Sequence, residues 1–366
     1  MRLADLTSLR VGGEAPNVVA PPDRDGLIAA VRSVWSSGEN LLLLGGGSNV
    51  LVGDDEFDGT VVRVVTQGIE QIPAPAGHVR LRVEAGENWD ELVAHTVAQG
   101  WAGIETLSGI PGSSGASPIQ NIGAYGQELA ASLVAVDFLD YLGVEVVRIE
   151  ASDLQLGYRT SALKQGREGL VVSIELDLVP DDAGLSQRIA YPQLASALGV
   201  SVGDRVSVAE VRRTVLALRS SKGMLLDPAD PDSVSAGSFF TNPIVSENFA
   251  RGLPADTPRW AVQPERASVV TPLGDAPPAA PRLEGARDYS VKLSAAWLIE
   301  NSGIGRGFSL PGSRAAVSSK HTLALTNRGG ATAADISELA RYIQTRVLAQ
   351  FGVRLHPEPV FVGITL

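Results

Sequence analysis

The residues with the clearest chemical purpose in this sequence are glycines. Gly45-Gly46-Gly47-Ser48-Asn49 follows Leu41-Leu42-Leu43-Leu44, a short apolar run suited to a buried strand. Glycine lets a backbone come close to a ligand and adopt positive φ, and consecutive N–H groups in such a turn form a nest for an anion. A pyrophosphate is the natural guest. The pattern is neither of the common nucleotide fingerprints. Asn49-Val50-Leu51-Val52 stands where G-x-G-x-x-G would open a helix, and the P-loop lysine is missing. Taken alone, the turn is open between a plain loop and a phosphate binder. A second segment, Trp101 to Gln127, contains Gly103, Gly109, Gly112, Gly115, Gly123 and Gly126, with Glu105 as its one charge. Linkers are usually polar and repetitive. This one is punctuated by Ile104, Leu107, Ile110-Pro111, Pro118-Ile119, Ile122 and Tyr125, and reads as backbone packed around something flat and large.

Other chemistries are disfavoured by residue type. The chain has no cysteine, which excludes disulfides, thiolate metal sites, iron–sulfur clusters and Cys nucleophiles. Four scattered histidines give no metal-ligand spacing, so no metal site is expected. Ser238 follows Gly237 outside any G-x-S-x-G frame and without an evident histidine partner, which argues against a hydrolase nucleophile.

The elements that must position these segments can be read from periodicity. Asp25 to Gly38 reads as a helix with Leu27, Val31, Val34 and Trp35 on one face, ended by Gly38. Val61–Val65 and His78–Glu84 read as strands, and Trp89–Gln99 as a helix. Leu133–Leu139, Val144–Ile149 and Leu170–Leu178 are expected in one sheet. Ser207-Val208-Ala209-Glu210 fits a capping box opening a helix through Val211, Val215 and Leu218. Thr332-Ala333-Ala334-Asp335 opens another, through Ile336, Leu339, Ile343 and Val347. Pro254–Arg287, rich in Pro and Ala, reads as a long surface loop or insertion. The last strand, Val360–Thr365, is expected to return to the middle domain.

The chain has 366 residues, 44% hydrophobic and 19% charged, enough for two or three domains with a substantial core. A net charge of −11 argues against nucleic-acid binding as the main task. An acidic protein can still hold an anionic nucleotide with backbone amides, helix N-termini and a few placed cations. The N-terminus has no long apolar stretch, and no run approaches the ~18 apolar residues of a membrane span. A cytoplasmic protein without membrane contact is expected.

Three strings together carry a family resemblance. Ser8-Leu9-Arg10-Val11-Gly12-Gly13, Leu44-Gly45-Gly46-Gly47-Ser48-Asn49-Val50-Leu51, and the long run from Gly109 to Gly126 containing Pro118-Ile119-Gln120-Asn121-Ile122-Gly123-Ala124-Tyr125-Gly126 resemble UDP-N-acetylenolpyruvoylglucosamine reductases of bacterial peptidoglycan precursor synthesis. The resemblance runs from about Thr7 to Gly363. It implies an α+β protein with the FAD-binding fold of the vanillyl-alcohol-oxidase type. Two FAD-binding domains would span 1–68 and 69–206, with 352–366 returning to the second, and a substrate-binding domain would span 207–351. It also implies non-covalent FAD, NADPH as reductant, a UDP-linked enolpyruvyl sugar as substrate, and a monomer.

Site residues follow from the same resemblance. FAD would meet Gly45, Gly46, Gly47, Ser48 and Asn49 from the first loop, and Ile110, Pro111, Gly112, Ser117, Gln120, Asn121 and Gly123 from the second. In the implied reaction, reducing equivalents pass from NADPH through FAD to the terminal enol-ether carbon. Negative charge then develops on the neighbouring carbon and its carboxylate, which calls for a cation, a hydrogen-bond donor and a proton donor. Arg159, in Gly157-Tyr158-Arg159-Thr160-Ser161, matches the family cation. Ser238, in Ala236-Gly237-Ser238-Phe239-Phe240-Thr241-Asn242-Pro243, matches the proton donor. Glu358, in Leu355-His356-Pro357-Glu358-Pro359-Val360, matches the partner of Arg159. By residue type alone they would be a surface arginine, a turn serine and a surface carboxylate.

Tyr191, in Ala190-Tyr191-Pro192-Gln193-Leu194, resembles the substrate-gating tyrosine of the subclass with an extra loop. Lys222 matches a lysine near the UDP phosphates. It is followed by Gly223-Met224-Leu225-Leu226-Asp227-Pro228, longer than the usual family form. Asn242, Arg306 and His321 complete the expected substrate contacts, whereas Lys292 to Ile299 matches a family helix and reads as packing. Two rival readings remain at this level: another FAD enzyme of the same fold, such as an oxidase of small alcohols, and a non-catalytic nucleotide-sugar binder. The Arg159, Ser238 and Glu358 set disfavours the first rival, and the FAD motifs disfavour the second.

Overall fold

Three parallel strands open the fold of the computed structural model, which describes residues 1–143, 145–262 and 290–366. Their order is Asn17–Val19, Thr60–Arg63, Leu41–Leu44. The helix Arg24–Ser37 covers them. Asp23 caps it by accepting from the Gly26 amide at 2.8 Å, and Gly38 ends it at φ 73°. Leu27, Val31 and Val34 pack between Val62 of this sheet and Leu139, Leu170 and Val172 of the next.

That second sheet is antiparallel, in the order Val146–Glu150, Leu133–Asp140, Gly169–Pro180, Val79–Glu84, Ile69–Ile72. The expected strand start at Val144 lies outside the described residues. The helix Trp89–Ala98 lies against it, capped by Asn88, whose side chain accepts from the Asp90 and Glu91 amides. Trp89 is fully buried, and its indole N–H donates to Leu107 O at 3.1 Å. A side chain of the helix thus pins the start of the second glycine-rich segment.

The C-terminal half contains two three-stranded antiparallel sheets: Ser235–Ser238, Ala324–Asn327, Ala315–Val317, and Ile244–Ser246, Ser290–Leu293, Arg259–Val262. The helix Ala333–Phe351 buries Ile336, Leu339, Ile343 and Val347 in their core. Its capping box is complete at Thr332 and Asp335. At Ser207 only half of the box forms. Ser207 Oγ accepts from the Glu210 amide, but the Glu210 carboxylate turns outward to Arg213.

The structure corrects several expectations. The last strand, Val360–Val362, does not join the middle sheet. It runs parallel to Val50–Val52, directly after the first glycine turn. Its apolar sequence suits any sheet, and only the tertiary path selects a partner. Within Pro254–Arg287, Arg259–Val262 is a strand rather than loop, and the remainder from residue 263 lies outside the described residues. Lys292-Leu293 belongs to a strand, and the helix starts at Ala295 behind its Ser294 cap. Among the described residues no helix is long and apolar enough to cross a membrane.

Candidate active site

Both glycine-rich segments line one cavity of about 820 Å³, within the range of ~300–1,000 Å³ typical of cofactor and ligand sites. The turn Gly45–Asn49 leaves the end of the strand Leu41–Leu44. Its Gly46, Gly47 and Ser48 amides donate to no acceptor among the described residues. Three successive open amides form an anion nest. The glycines are also needed for packing. A Cβ on Gly46 would come within 2.7 Å of Gly112 Cα, and one on Gly47 within 2.0 Å of Leu6 O. Ser48 Oγ donates to Pro111 O at 2.9 Å and ties the two loops together. Ile110, Ile119 and Ile122 give the second loop an apolar cavity face. Open amides beside an extended apolar wall fit the pyrophosphate and ring system of FAD.

Arg159 stands at the far side, in a tight turn closed by reciprocal hydrogen bonds between Gly157 and Thr160. Its φ of 55° is unusual for a non-glycine residue. Nη1 donates to Asn121 O at 3.2 Å, Nη2 donates to Gly123 O at 2.6 Å, and Nε lies 3.3 Å from Glu358 Oε1. Two of the five guanidinium N–H groups are thereby hydrogen-bonded, leaving one on each terminal nitrogen, while Nε is ion-paired with Glu358.

Glu358 is carried on a segment that bridges two walls. Its amide donates to Phe239 O at 2.8 Å, and the Val360 amide donates to Asn49 O at 2.9 Å. The chain runs from beside Ser238 to the glycine turn. Burial raises the Glu358 carboxyl above the usual carboxylate range, against the lowering effects of Arg159, Lys164 and Gln120. Gln120 Nε2 donates to Glu358 Oε1 at 3.1 Å, while Gln120 Oε1 accepts from Asn49 Nδ2 at 3.0 Å and from Lys164 Nζ at 3.1 Å. Ser238 ends its strand on the cavity wall behind Gly237, at φ 71°. Hydrogen bonds of Phe239 to Leu323 and Glu358 fix the adjoining backbone.

A cationic end completes the cavity. Lys222 Nζ donates to Gln193 Oε1 at 3.1 Å and lies 5.6 Å from the centre of the Tyr125 ring, and Tyr191 meets Tyr125 edge-on at 5.9 Å. Burial, then the Arg219 charge, lower the Lys222 pKa. Arg219 is itself buried. One Nη donates to Met224 O at 3.0 Å, and its Nε has no partner. His321 faces the same space, with its pKa lowered to about 4 by burial and then by Lys222 and Arg306, so it is neutral at pH 7. Asp232 accepts from the Ser319 amide and hydroxyl and holds that loop from behind. Asn242 also lines the cavity, and its Oδ1 accepts from the Ala295 amide at 3.0 Å.

Of the residues singled out in the sequence, Asn121 and Arg306 do not line the cavity. Asn121 is buried, and its side chain bonds Glu128, Gly157 O and the Ala130 amide, so it builds the loop from inside. The Arg306 side chain is 61% exposed and pairs loosely with Glu300 at 4.0 Å. Lining residues not assigned to the site from the sequence include the polar Tyr158, Lys164, Arg219 and Lys292. Arg219 carried a signal, lying one turn before Lys222 at the end of the helix Val208–Ser220. Lys292 did not. It sits mid-strand, with Nζ 4.8 Å from the centre of the Tyr158 ring.

A profile of the UDP-N-acetylenolpyruvoylglucosamine reductase C-terminal domain matches residues 228–362, and a FAD binding domain profile matches residues 15–149. A UDP-N-acetylenolpyruvoylglucosamine reductase of Leifsonia xyli subsp. xyli is 60% identical, covering 100% of this chain and 98% of the relative. One from Saccharopolyspora erythraea is 50% identical, covering 100% and 95%. In fold, the chain is similar to the crystal structure of UDP-N-acetylenolpyruvylglucosamine reductase from Thermus caldophilus, with a TM-score of 0.61 and 24% identity over 99% of this chain and 97% of that one.

Proposed function

The chain belongs to the UDP-N-acetylenolpyruvoylglucosamine reductase family, and from that premise we propose how its own residues carry out the reaction. It is an FAD-dependent oxidoreductase that reduces UDP-N-acetylglucosamine enolpyruvate to UDP-N-acetylmuramate with NADPH, in peptidoglycan precursor synthesis. FAD, when bound, relays two electrons from NADPH to the enol-ether carbon. Gly45 to Asn49 and the wall from Ile110 to Gly123 hold it, with Asn121 acting from behind that wall. Segments 1–68 and 69–206 form the cofactor half, 207–351 covers the substrate, and 352–366 brings Glu358 back to the glycine turn.

The observation that carries this reading is the meeting of Arg159, Glu358 and Ser238 on the wall shared with the two glycine loops. The two uncommitted N–H groups of Arg159 bind the substrate carboxylate and steady its growing charge. Glu358 hydrogen-bonds the same group from the other side. The Ser238 hydroxyl gives its proton to the adjacent carbon. Lys222, Tyr191, Asn242 and His321 hold the UDP-sugar, with Tyr191 and Tyr125 forming the gate of the extra-loop subclass. Arg306 acts from the rim, as a long-range charge.

One chain supplies all these groups, which supports a monomer of 38.3 kDa, to be checked by sedimentation. We place it in the cytoplasm, where NADPH is available.

The test is anaerobic and stepwise. NADPH should bleach the yellow flavin, and the enolpyruvyl sugar should restore its colour. A colourless protein, or colour restored only by oxygen, contradicts the reading. In Ser238→Ala, bleaching by NADPH should persist while recovery by the sugar slows by about 10²-fold or more. Equal loss in both halves would make Ser238 structural.

A further inference from the structure

The side chain of Gln120 has only one orientation that its neighbours allow. Its carbonyl oxygen takes two donors, Asn49 Nδ2 at 3.0 Å and Lys164 Nζ at 3.1 Å. The reverse orientation would set an amide NH2 against an ammonium and a second NH2, with no acceptor among the three. Gln120 Nε2 must therefore face Glu358, where it donates to Oε1 at 3.1 Å. Arg159 Nε lies 3.3 Å from the same oxygen. Oε1 accepts from Gln120 and lies beside the Arg159 charge, and Oε2 receives no donor from the described residues. A carboxyl proton is disfavoured on the oxygen that accepts an amide N–H and lies beside a guanidinium. It sits on Oε2, the oxygen left for the substrate.

Lys164 also lies 3.4 Å from Glu358 O, as does Asn49 Nδ2. The same two donors thus grip both the backbone of Glu358 and the amide that orients its side chain. We propose that Lys164 is a positioning residue which, through Gln120 and together with Asn49, fixes Glu358 so that Oε2 is the oxygen offered to the substrate. This rests on the reading of Glu358 as a catalytic group. Asn49 and Gln120 then do more than line the cofactor wall, since they connect the glycine turn to the acid. The titratable and charged groups facing Glu358 are Arg159, Lys164 and Tyr158. Lys164 lowers the Glu358 pKa by its charge, and burial lowers that of Lys164 in turn. The pair is electrically coupled as well as hydrogen-bonded.

Lys164→Met, Lys164→Arg, Gln120→Met and Glu358→Gln, each purified with flavin bound, test this. In Lys164→Met, flavin content and bleaching by NADPH should stay near wild type, while reoxidation by the enolpyruvyl sugar slows about tenfold or more. The limb of its pH profile that disappears in Glu358→Gln should move up by about one pH unit or more, because a cation beside the carboxyl is gone. Lys164→Arg should restore the limb. Gln120→Met should move it in the same direction, and it carries the test if Lys164→Met does not fold. In Lys164→Met, an unmoved limb, equal loss in both half-reactions or loss of flavin affinity would overturn the proposal and make Lys164 a cofactor or scaffold residue, and an unmoved limb in Gln120→Met would overturn it too. If Glu358→Gln itself reduces the sugar at the wild-type rate, the underlying reading of Glu358 fails instead.

Discussion

At the scale of residues, Glu358 is held against its own stability. Burial outweighs Arg159, Lys164 and Gln120 and raises its pKa above the usual value of 4.5. The folded protein therefore keeps a proton that the unfolded chain releases. The group's contribution to stability is complete below pH 4.5 and is lost as pH rises through the folded value. Glu358→Gln, which cannot ionise, should gain thermal stability over wild type as the pH is raised from 4.5 to 8, even as turnover collapses. Melting curves across that range decide it, and a constant difference would mean that the carboxylate is well compensated. His321 has the opposite slope. With its folded pKa near 4 against an ordinary 6.5, it withholds a proton that the unfolded chain accepts, and its contribution is lost as pH falls from 6.5 to 4.

At the scale of elements, two glycines with nearly the same backbone have different reasons to be glycine. Gly38 ends its helix at φ 73° with nothing within 4 Å of an added Cβ, while Gly47 at φ 60° would drive one into Leu6 O at 2.0 Å. Gly38→Ala should cost only the left-handed penalty, about 1–2 kcal/mol. Gly47→Ala should cost more, because backbone on both sides must move, and should release flavin as the turn opens. Urea midpoints and bound flavin absorbance compare the two variants directly. Equal costs would show that the turn relaxes around the methyl group. The nest is therefore preorganised by packing against the N-terminal segment and Gly112, and not by glycine flexibility.

At the scale of the whole molecule, the two ends of the chain close on each other. Asp54, just past the first glycine turn, accepts from the Ala333 and Ala334 amides at the start of the helix Ala333–Phe351. Val360–Val362 pairs with Val50–Val52. The cavity lies among these joined parts, so a flavin bound there would hold them together. Stripping the flavin should lower the melting temperature, and restoring it to about 100 times its dissociation constant should return about 2.7 kcal/mol. A melting temperature indifferent to flavin would contradict a cofactor seated between the halves. Much of this protein was legible in one dimension. Helices and strands follow from local periodicity. The glycine strings are specific because close backbone packing there leaves few residue types possible, and they carried the family and the flavin. What the sequence could not determine depends on meetings between distant segments. The Val360–Val362 strand is apolar enough for either sheet, and its partner was decided by the path back from the helix Ala333–Phe351. Lys164, Arg219 and Lys292 look like ordinary surface cations until burial and a shared cavity give them work. The glycine turn, taken alone, stays open between a plain loop and a phosphate binder, and the second glycine-rich segment narrows the guest to a flavin. Which oxygen of Glu358 faces the substrate is decided only where residues 49, 120, 159, 164 and 358 converge, because a hydrogen-bond direction belongs to a set of neighbours and not to any one residue.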